Sequence, residues 1–143
     1  MTIRPYSPED EKAIIELWRK CNLLRPWNNP KRDIQRKLMV NPELFLVGLV
    51  SGKLVASAMG GYEGHRGWIN YVAVDPTFQR MGFGRQIMQS VEDRIRAVGC
   101  PKINLLIRRD NPLAIKFYES IGYKMDDVIT LAKRLVEDKS QHE

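Results

Sequence analysis

The chain has 143 residues, 43% of them apolar and 28% charged, with a formal net charge of +6. That is one domain's length with enough apolar content for its own core, which excludes a disordered chain and a small scaffold stapled by disulfides or metal. Two cysteines make no disulfide framework, no apolar run approaches the ~20 residues of a bilayer span, and residues 1–5 lack a secretory hydrophobic region, so a cytoplasmic protein is expected.

Ser7-Pro8-Glu9-Asp10 reads as a helix start, with Ser7 as cap, Pro8 at the first helical position and Asp10 three residues after the cap. Ile14, Leu17, Trp18 and Cys21 follow at helical spacing, which predicts Trp18 as a core residue. Asn29-Pro30 opens a second helix, with Asp33 in its first turn and Ile34 and Leu38 on one face. The loop between them, Leu23-Leu24-Arg25-Pro26-Trp27-Asn28, is aromatic and basic. Residues 45–50 and 53–59 predict two strands around a Ser51-Gly52 turn. Gly60-Gly61 and Glu63-Gly64-His65-Arg66-Gly67 are breaks flanking Tyr62, and residues 68–74 predict a third strand closed by Asp75-Pro76. Ile87, Met88, Val91, Ile95 and Val98 predict a helix over 83–98, stopped by Gly99 and Pro101. A strand over 102–108, a helix opened by Asn111-Pro112 and ended by Gly122, and a last strand over 128–135 complete the order. This is an α+β chain with a mixed sheet: one domain over residues 1–136 and a polar, frayed tail over 137–143.

Tyr71-Val72-Ala73-Val74-Asp75-Pro76-Thr77-Phe78-Gln79-Arg80-Met81-Gly82-Phe83-Gly84-Arg85 is a strand, a turn and a glycine loop at the start of the longest helix. The first N–H groups of a helix lack internal partners, and Gly82 and Gly84 leave room for a phosphate to reach them, with Arg80 and Arg85 adding charge. A helix N-terminus alone offers an anion only about 0.3–2 kcal/mol, so several amides and an arginine must act together. The loop has no Walker lysine, and Ile87 stands where a dinucleotide fingerprint needs its third glycine. What remains is Gln/Arg-x-x-Gly-x-Gly/Ala, fitted by Gln79 to Gly84.

With that pattern, the strand Val72-Ala73-Val74-Asp75-Pro76 and the segment Asn111-Pro112-Leu113-Ala114-Ile115-Lys116-Phe117-Tyr118-Glu119-Ser120-Ile121-Gly122-Tyr123, the chain resembles the GCN-related N-acetyltransferases, the GNAT superfamily, and within it the short bacterial acetyltransferases. The resemblance implies two N-terminal helices, a central mixed and mostly antiparallel sheet with a splayed parallel pair, and helices on both faces. It implies acetyl transfer from acetyl-CoA, as co-substrate and without metal, to a primary amine through a tetrahedral intermediate. The amine can belong to a protein N-terminus, a lysine or a small molecule. Relatives are commonly homodimers.

Carried over residue by residue, Gln79, Arg80, Met81, Gly82, Phe83, Gly84 and Arg85 hold the pyrophosphate. The backbone of Val72, Ala73 and Val74 pairs with the pantetheine arm and polarises the thioester carbonyl. Asn111 bonds the pantetheine, and Tyr118 is the general acid, protonated at neutral pH with an ordinary phenol pKa near 10. Leu106 stands where some relatives carry a catalytic glutamate; Glu63 is the substitute base, ahead of His65, Tyr71 or an ordered water chain. Arg25, Trp27, Tyr62 and Tyr71 are candidate acceptor contacts, with Trp18 and Asn28 nearby in the same region, and Arg25 would suit an anionic acceptor. His65, His142, Cys21 and Cys100 make no metal set, and both thiols are expected to be inert. Two other readings compete: a non-catalytic acyl-CoA-binding module on the same fold, and a small basic nucleic-acid binder with no recognition motif in view.

Overall fold

A computed structural model describes residues 1–139. The end of the expected tail, including His142, lies outside the described residues. Strands β1 (Thr2–Pro5), β2 (Phe45–Val50), β3 (Lys53–Tyr62), β4 (Gly67–Val74) and β5 (Ile103–Asn104) are joined by helices α1 (Glu11–Lys20), α2 (Pro30–Lys37), α3 (Phe83–Ala97) and, after β5, α4 (Pro112–Ser120). The strands stand side by side in chain order. All pairs are antiparallel except β4–β5, which is parallel. The chain forms two compact units, one of Met1–Leu105 joined by the segment from Asp138, the other of Leu106–Glu137.

In the first unit the period-2 pattern of β2 decides the layers. Phe45 and Val47 join Tyr6, Ile14, Leu17, Trp18, Ile34 and Met59 in one core beneath α1 and α2. Tyr6 stacks on Phe45 with ring centroids 4.6 Å apart. The alternate residues, Leu46 among them, are buried on the opposite face, where α3 brings Ile87, Met88, Val91 and Ile95. α3 packs on β2, β3 and β4. A Cβ on Gly60 would lie 2.6 Å from Val91 Cγ2, so the helix seats directly on β3 backbone and only glycine permits it.

Polar anchors fix the ends of elements. The Asp10 carboxylate accepts from the two terminal nitrogens of the Arg4 guanidinium, at 2.7 and 2.9 Å, and from the Ser7 N–H. Asn29 caps α2 by accepting from the Lys31 and Arg32 amides. Asp138, only 4% exposed, accepts two hydrogen bonds from Arg36 at 2.6 and 2.9 Å and one from Arg32 at 3.4 Å. The segment expected to fray from residue 137 is therefore pinned to α2 at its second residue.

Three sequence expectations are corrected. β1 was not expected; it is short and ends in Pro5, which suits an edge strand. The strand expected over 102–108 shrinks to Ile103–Asn104, because β4 pairs with it only at Gly67↔Ile103 and Trp68↔Asn104. The strand expected over 128–135 is irregular and exposed throughout, with Ile129 and Leu131 near 90% exposed. Strand composition does not make a strand unless a neighbouring ladder satisfies its backbone.

Candidate active site

The candidate site in the first unit surrounds an interruption in β4. Ala56↔Val74 and Ser57↔Ala73 are paired, and then Met59↔Asn70, so Tyr71 and Val72 together oppose Ala58. This is a β-bulge, and Tyr71 takes φ +50°, a left-handed conformation that costs a bulky residue roughly 1–2 kcal/mol. Side chains from three elements hold it there. Trp18 Nε1 donates to Ser57 Oγ at 2.9 Å, and Ser57 Oγ donates to the Tyr71 carbonyl at 2.7 Å. The Trp18 and Tyr71 rings stack at 3.8 Å, and the Tyr71 hydroxyl donates to Asp33 Oδ2 on α2 at 2.6 Å. Burial, reinforced by Asp33, pushes the Tyr71 phenol far above its ordinary pKa. That keeps it a donor and ties it to α2. Ser57 is fully buried, so Ser57→Ala strands the Trp18 N–H and loses a bond to the Tyr71 carbonyl. A loss of about 2 kcal/mol of stability is expected, read as a fall in melting temperature.

Beyond the bulge, β4 has no parallel partner among the described residues past Trp68, so the β4–β5 pair splays. The strand exit is fastened. Buried Asp75 accepts from the Thr77 N–H at 2.9 Å and from Lys20 at 3.3 Å, and these hold its carboxyl below the usual range. The Val74 carbonyl accepts from Cys21 Sγ and from Gln79 Nε2. Gln79 thereby folds the loop back onto the strand. The Cys21 thiol, pushed up by burial, is far from a reactive thiolate. Arg80 and Gly82 both take positive φ, +64° and +81°. Gly82 is the cap of α3, and a Cβ there would meet nothing within 4 Å, so the space before the helix is open. Its carbonyl accepts from the Gln86 N–H at 3.0 Å. The amides of Phe83, Gly84 and Arg85 precede the first intrahelical bond and point out of the helix end. Met81, Gly82 and Arg85 are exposed.

The expected acceptor residues fall into different settings. Trp18 is core, as its spacing predicts. Trp27 is 45% exposed, in the loop with Arg25 and Asn28 before α2. The Tyr62 hydroxyl donates to the Gly64 carbonyl across the β3–β4 turn. In the same turn the Glu63 carboxylate accepts from the His65 and Arg66 amides, which hold it below the ordinary carboxylate range. A base working near neutral pH needs the opposite shift. Cys100 Sγ donates to the Lys102 carbonyl.

In the second unit, Asn111 caps α4 by accepting from the Ala114 N–H at 3.2 Å. Tyr118 lies edge-on to Phe117 and Tyr123, with centroids 5.1 and 5.9 Å away. Burial pushes its phenol up to about 12. Leu106 is 61% exposed. Sequence reasoning missed Ser57, although one serine within Leu54-Val55-Ala56-Ser57-Ala58-Met59 is a detectable signal.

A mixed sheet with a splayed parallel pair, a bulged fourth strand and a glycine-started helix beyond that strand's exit define a GNAT acetyltransferase. The family model described as Acetyltransferase (GNAT) family matches residues 11–123. An acetyltransferase of Pectobacterium atrosepticum is 48% identical over 139 residues, covering 97% of this chain and 99% of that protein. The crystal structure of Ard1 from Thermoplasma volcanium aligns with a TM-score of 0.76 and 29% identity, over 87% of this chain and 83% of that one. The ribosomal-protein-S18-alanine N-acetyltransferase of Escherichia coli aligns with a TM-score of 0.70 and 25% identity, over 85% and 76%. The chain belongs to the GNAT family and is an acetyltransferase.

Proposed function

We propose that this enzyme takes an acetyl group from acetyl-CoA and delivers it to a primary amine by direct attack on the thioester. The observation that carries the reading is the arrangement along one chain segment: the bulge at Tyr71 and Val72, the splayed edge of β4, and the open, glycine-capped start of α3. The donor set fits a phosphorylated acyl carrier. The amides of Phe83, Gly84 and Arg85, with the Arg80 and Arg85 side chains, meet a pyrophosphate, and Gln79 holds the loop in shape. Met81 lines the approach. The backbone of Val72, Ala73 and Val74 orients the amide-rich arm, and an N–H of this stretch stabilises negative charge on the thioester oxygen.

Tyr118, kept protonated by burial, supplies the proton that the departing thiolate needs, and Asn111 offers the pantetheine its remaining amide donor. The acceptor lies toward Arg25, Trp27, Tyr62 and Tyr71, and the amine's proton leaves through water, because the Glu63 carboxylate first proposed as base is held by the amides of its own turn. The named activity of the Escherichia coli relative, that of a ribosomal-protein-S18-alanine N-acetyltransferase, supports an amine acceptor.

Thermal unfolding with acetyl-CoA, with ATP as the phosphate control, tests the reading. Ligand at about 100 times its Kd adds about 2.7 kcal/mol, a rise of roughly 5–10 °C. A rise with acetyl-CoA alone, followed by acetylated product in an amine panel, is the expected result. A rise without any product identifies an acyl-CoA-binding module, and no rise at millimolar acetyl-CoA overturns the reading.

A further inference from the structure

On the α2 face of the sheet, at the end of the β3–β4 hairpin, lies a recess of about 170 Å³. Lys37, Asn41, Tyr62, Trp68 and Asn70 are among its walls. It is smaller than the roughly 300–1,000 Å³ of a typical small-molecule or cofactor site, so it suits one side chain or one small polar group. Its lining is mainly apolar, and one cation sits in it. Lys37 Nζ stands 3.2 Å from the position a Cβ on Gly61 would take, so the missing side chain makes room for the ammonium. No carboxylate among the described residues reaches it within ion-pair distance, and Glu43 acts on it only from further away. Burial pulls this ammonium below its ordinary pKa, the state in which an added anion gains most. The Glu63 carboxylate at the rim is already taken by the amides of its own turn. Asn41 uses its carbonyl oxygen to accept the Tyr62 N–H at 3.3 Å, which leaves its NH₂ as a second donor in the recess.

We infer that Lys37 and Asn41 form an anion subsite for the acceptor, and that the acceptor is an amine carrying an acidic side chain three or four residues along an extended peptide. The inference rests on the proposed acetyl transfer at Val72, and its length follows from the strand register. Gly61, beside the Lys37 ammonium, lies three residues along β3 from Ala58, which the Tyr71–Val72 bulge opposes. At about 3.3 Å per strand residue this is roughly 10 Å. An extended peptide spans that distance in three or four residues. Asn70 links the two ends, lining the recess two residues before Val72. A free α-amino acid, with amine and carboxylate on one carbon, is far too short to occupy both.

The test uses tetrapeptide amides Ala-Ala-Ala-Asp and Ala-Ala-Ala-Asn, with the acid then moved to each earlier position. Both KM for transfer and direct calorimetric binding are read. The wild type is expected to favour the acidic peptide by about tenfold or more, with the preference strongest at position 3 or 4. Lys37→Met is expected to bring the acid-to-amide ratio to one, and Lys37→Arg to keep it. An unchanged ratio in Lys37→Met, or a preference strongest at position 1, overturns the inference. If no peptide is acetylated but Lys37-dependent binding of the acidic peptide persists, the subsite stands and the reaction reading falls. If transfer proceeds with no acid preference, the reaction stands and the subsite falls.

Discussion

Gly82→Glu is expected to abolish acetyl-CoA binding, raising its Kd by at least about a hundredfold, or about 2.7 kcal/mol. Two effects combine. The new carboxylate occupies the space in front of the Phe83, Gly84 and Arg85 amides, competing with the pyrophosphate for the same donors and repelling it. The φ of +81° also penalises any residue with a Cβ, by about 1 kcal/mol. These are separable, because a Cβ at this position meets no atom within 4 Å. Gly82→Asn bears most of the backbone penalty without the charge, and asparagine tolerates the left-handed region. Gly82→Asn should lose little stability and keep most of its affinity. Gly82→Glu should remain folded and lose the thermal shift with acetyl-CoA. Retained affinity in Gly82→Glu would remove the loop from the cofactor site.

Tyr118→Phe is expected to lower kcat by roughly 10²–10³, within the usual range for loss of a general acid, while KM for acetyl-CoA stays near wild type. The ring contacts with Phe117 and Tyr123 survive the substitution, so packing is not the lost quantity. The pH dependence carries a sign. With the phenol pushed up to about 12, the acid form persists well above the ordinary phenol range. Wild-type kcat should therefore show no fall assignable to this residue below about pH 11, whereas an unperturbed tyrosine would begin to fail near pH 9. A stopped assay across pH 7–10 with both proteins reads this directly. Equal kcat in the two would remove Tyr118 from proton transfer.

Much of this fold is legible in the sequence because its signals are local. The run from Phe45 to Val50, the Ser51-Gly52 turn and the spacing of Ile87, Met88, Val91 and Ile95 each specify their element without help from distant residues. The glycine start of α3 at Gly82 is legible for a related reason, since a helix N-terminus at a glycine needs little side-chain information. The illegible parts are decided at long range. Thr2–Pro5 is a strand only because β2 offers an edge to it, and residues 128–135 have strand composition but no ladder. Lys37 reads as one more basic residue on a polar helix, and only the hairpin placed beside it makes a recess. Glu63 shows the converse: a carboxylate chosen for its type proves to close its own turn.

The bulge at Tyr71 also depends on contacts between distant parts of the chain. Its restraints join Trp18 to Ser57, 39 residues away, and Ser57 to Tyr71 across the hairpin. A hairpin alone has the Ser57 bond to Tyr71 but lacks the Trp18 and Asp33 contacts that help to offset the cost. A collapsed chain with native helices and strands but loose side-chain packing would relax this stretch of β4 into an ordinary ladder. It could keep its far-ultraviolet circular dichroism and still lack the bulge, so the left-handed backbone at Tyr71 depends on side-chain packing between α1, α2 and the hairpin rather than on the strands alone.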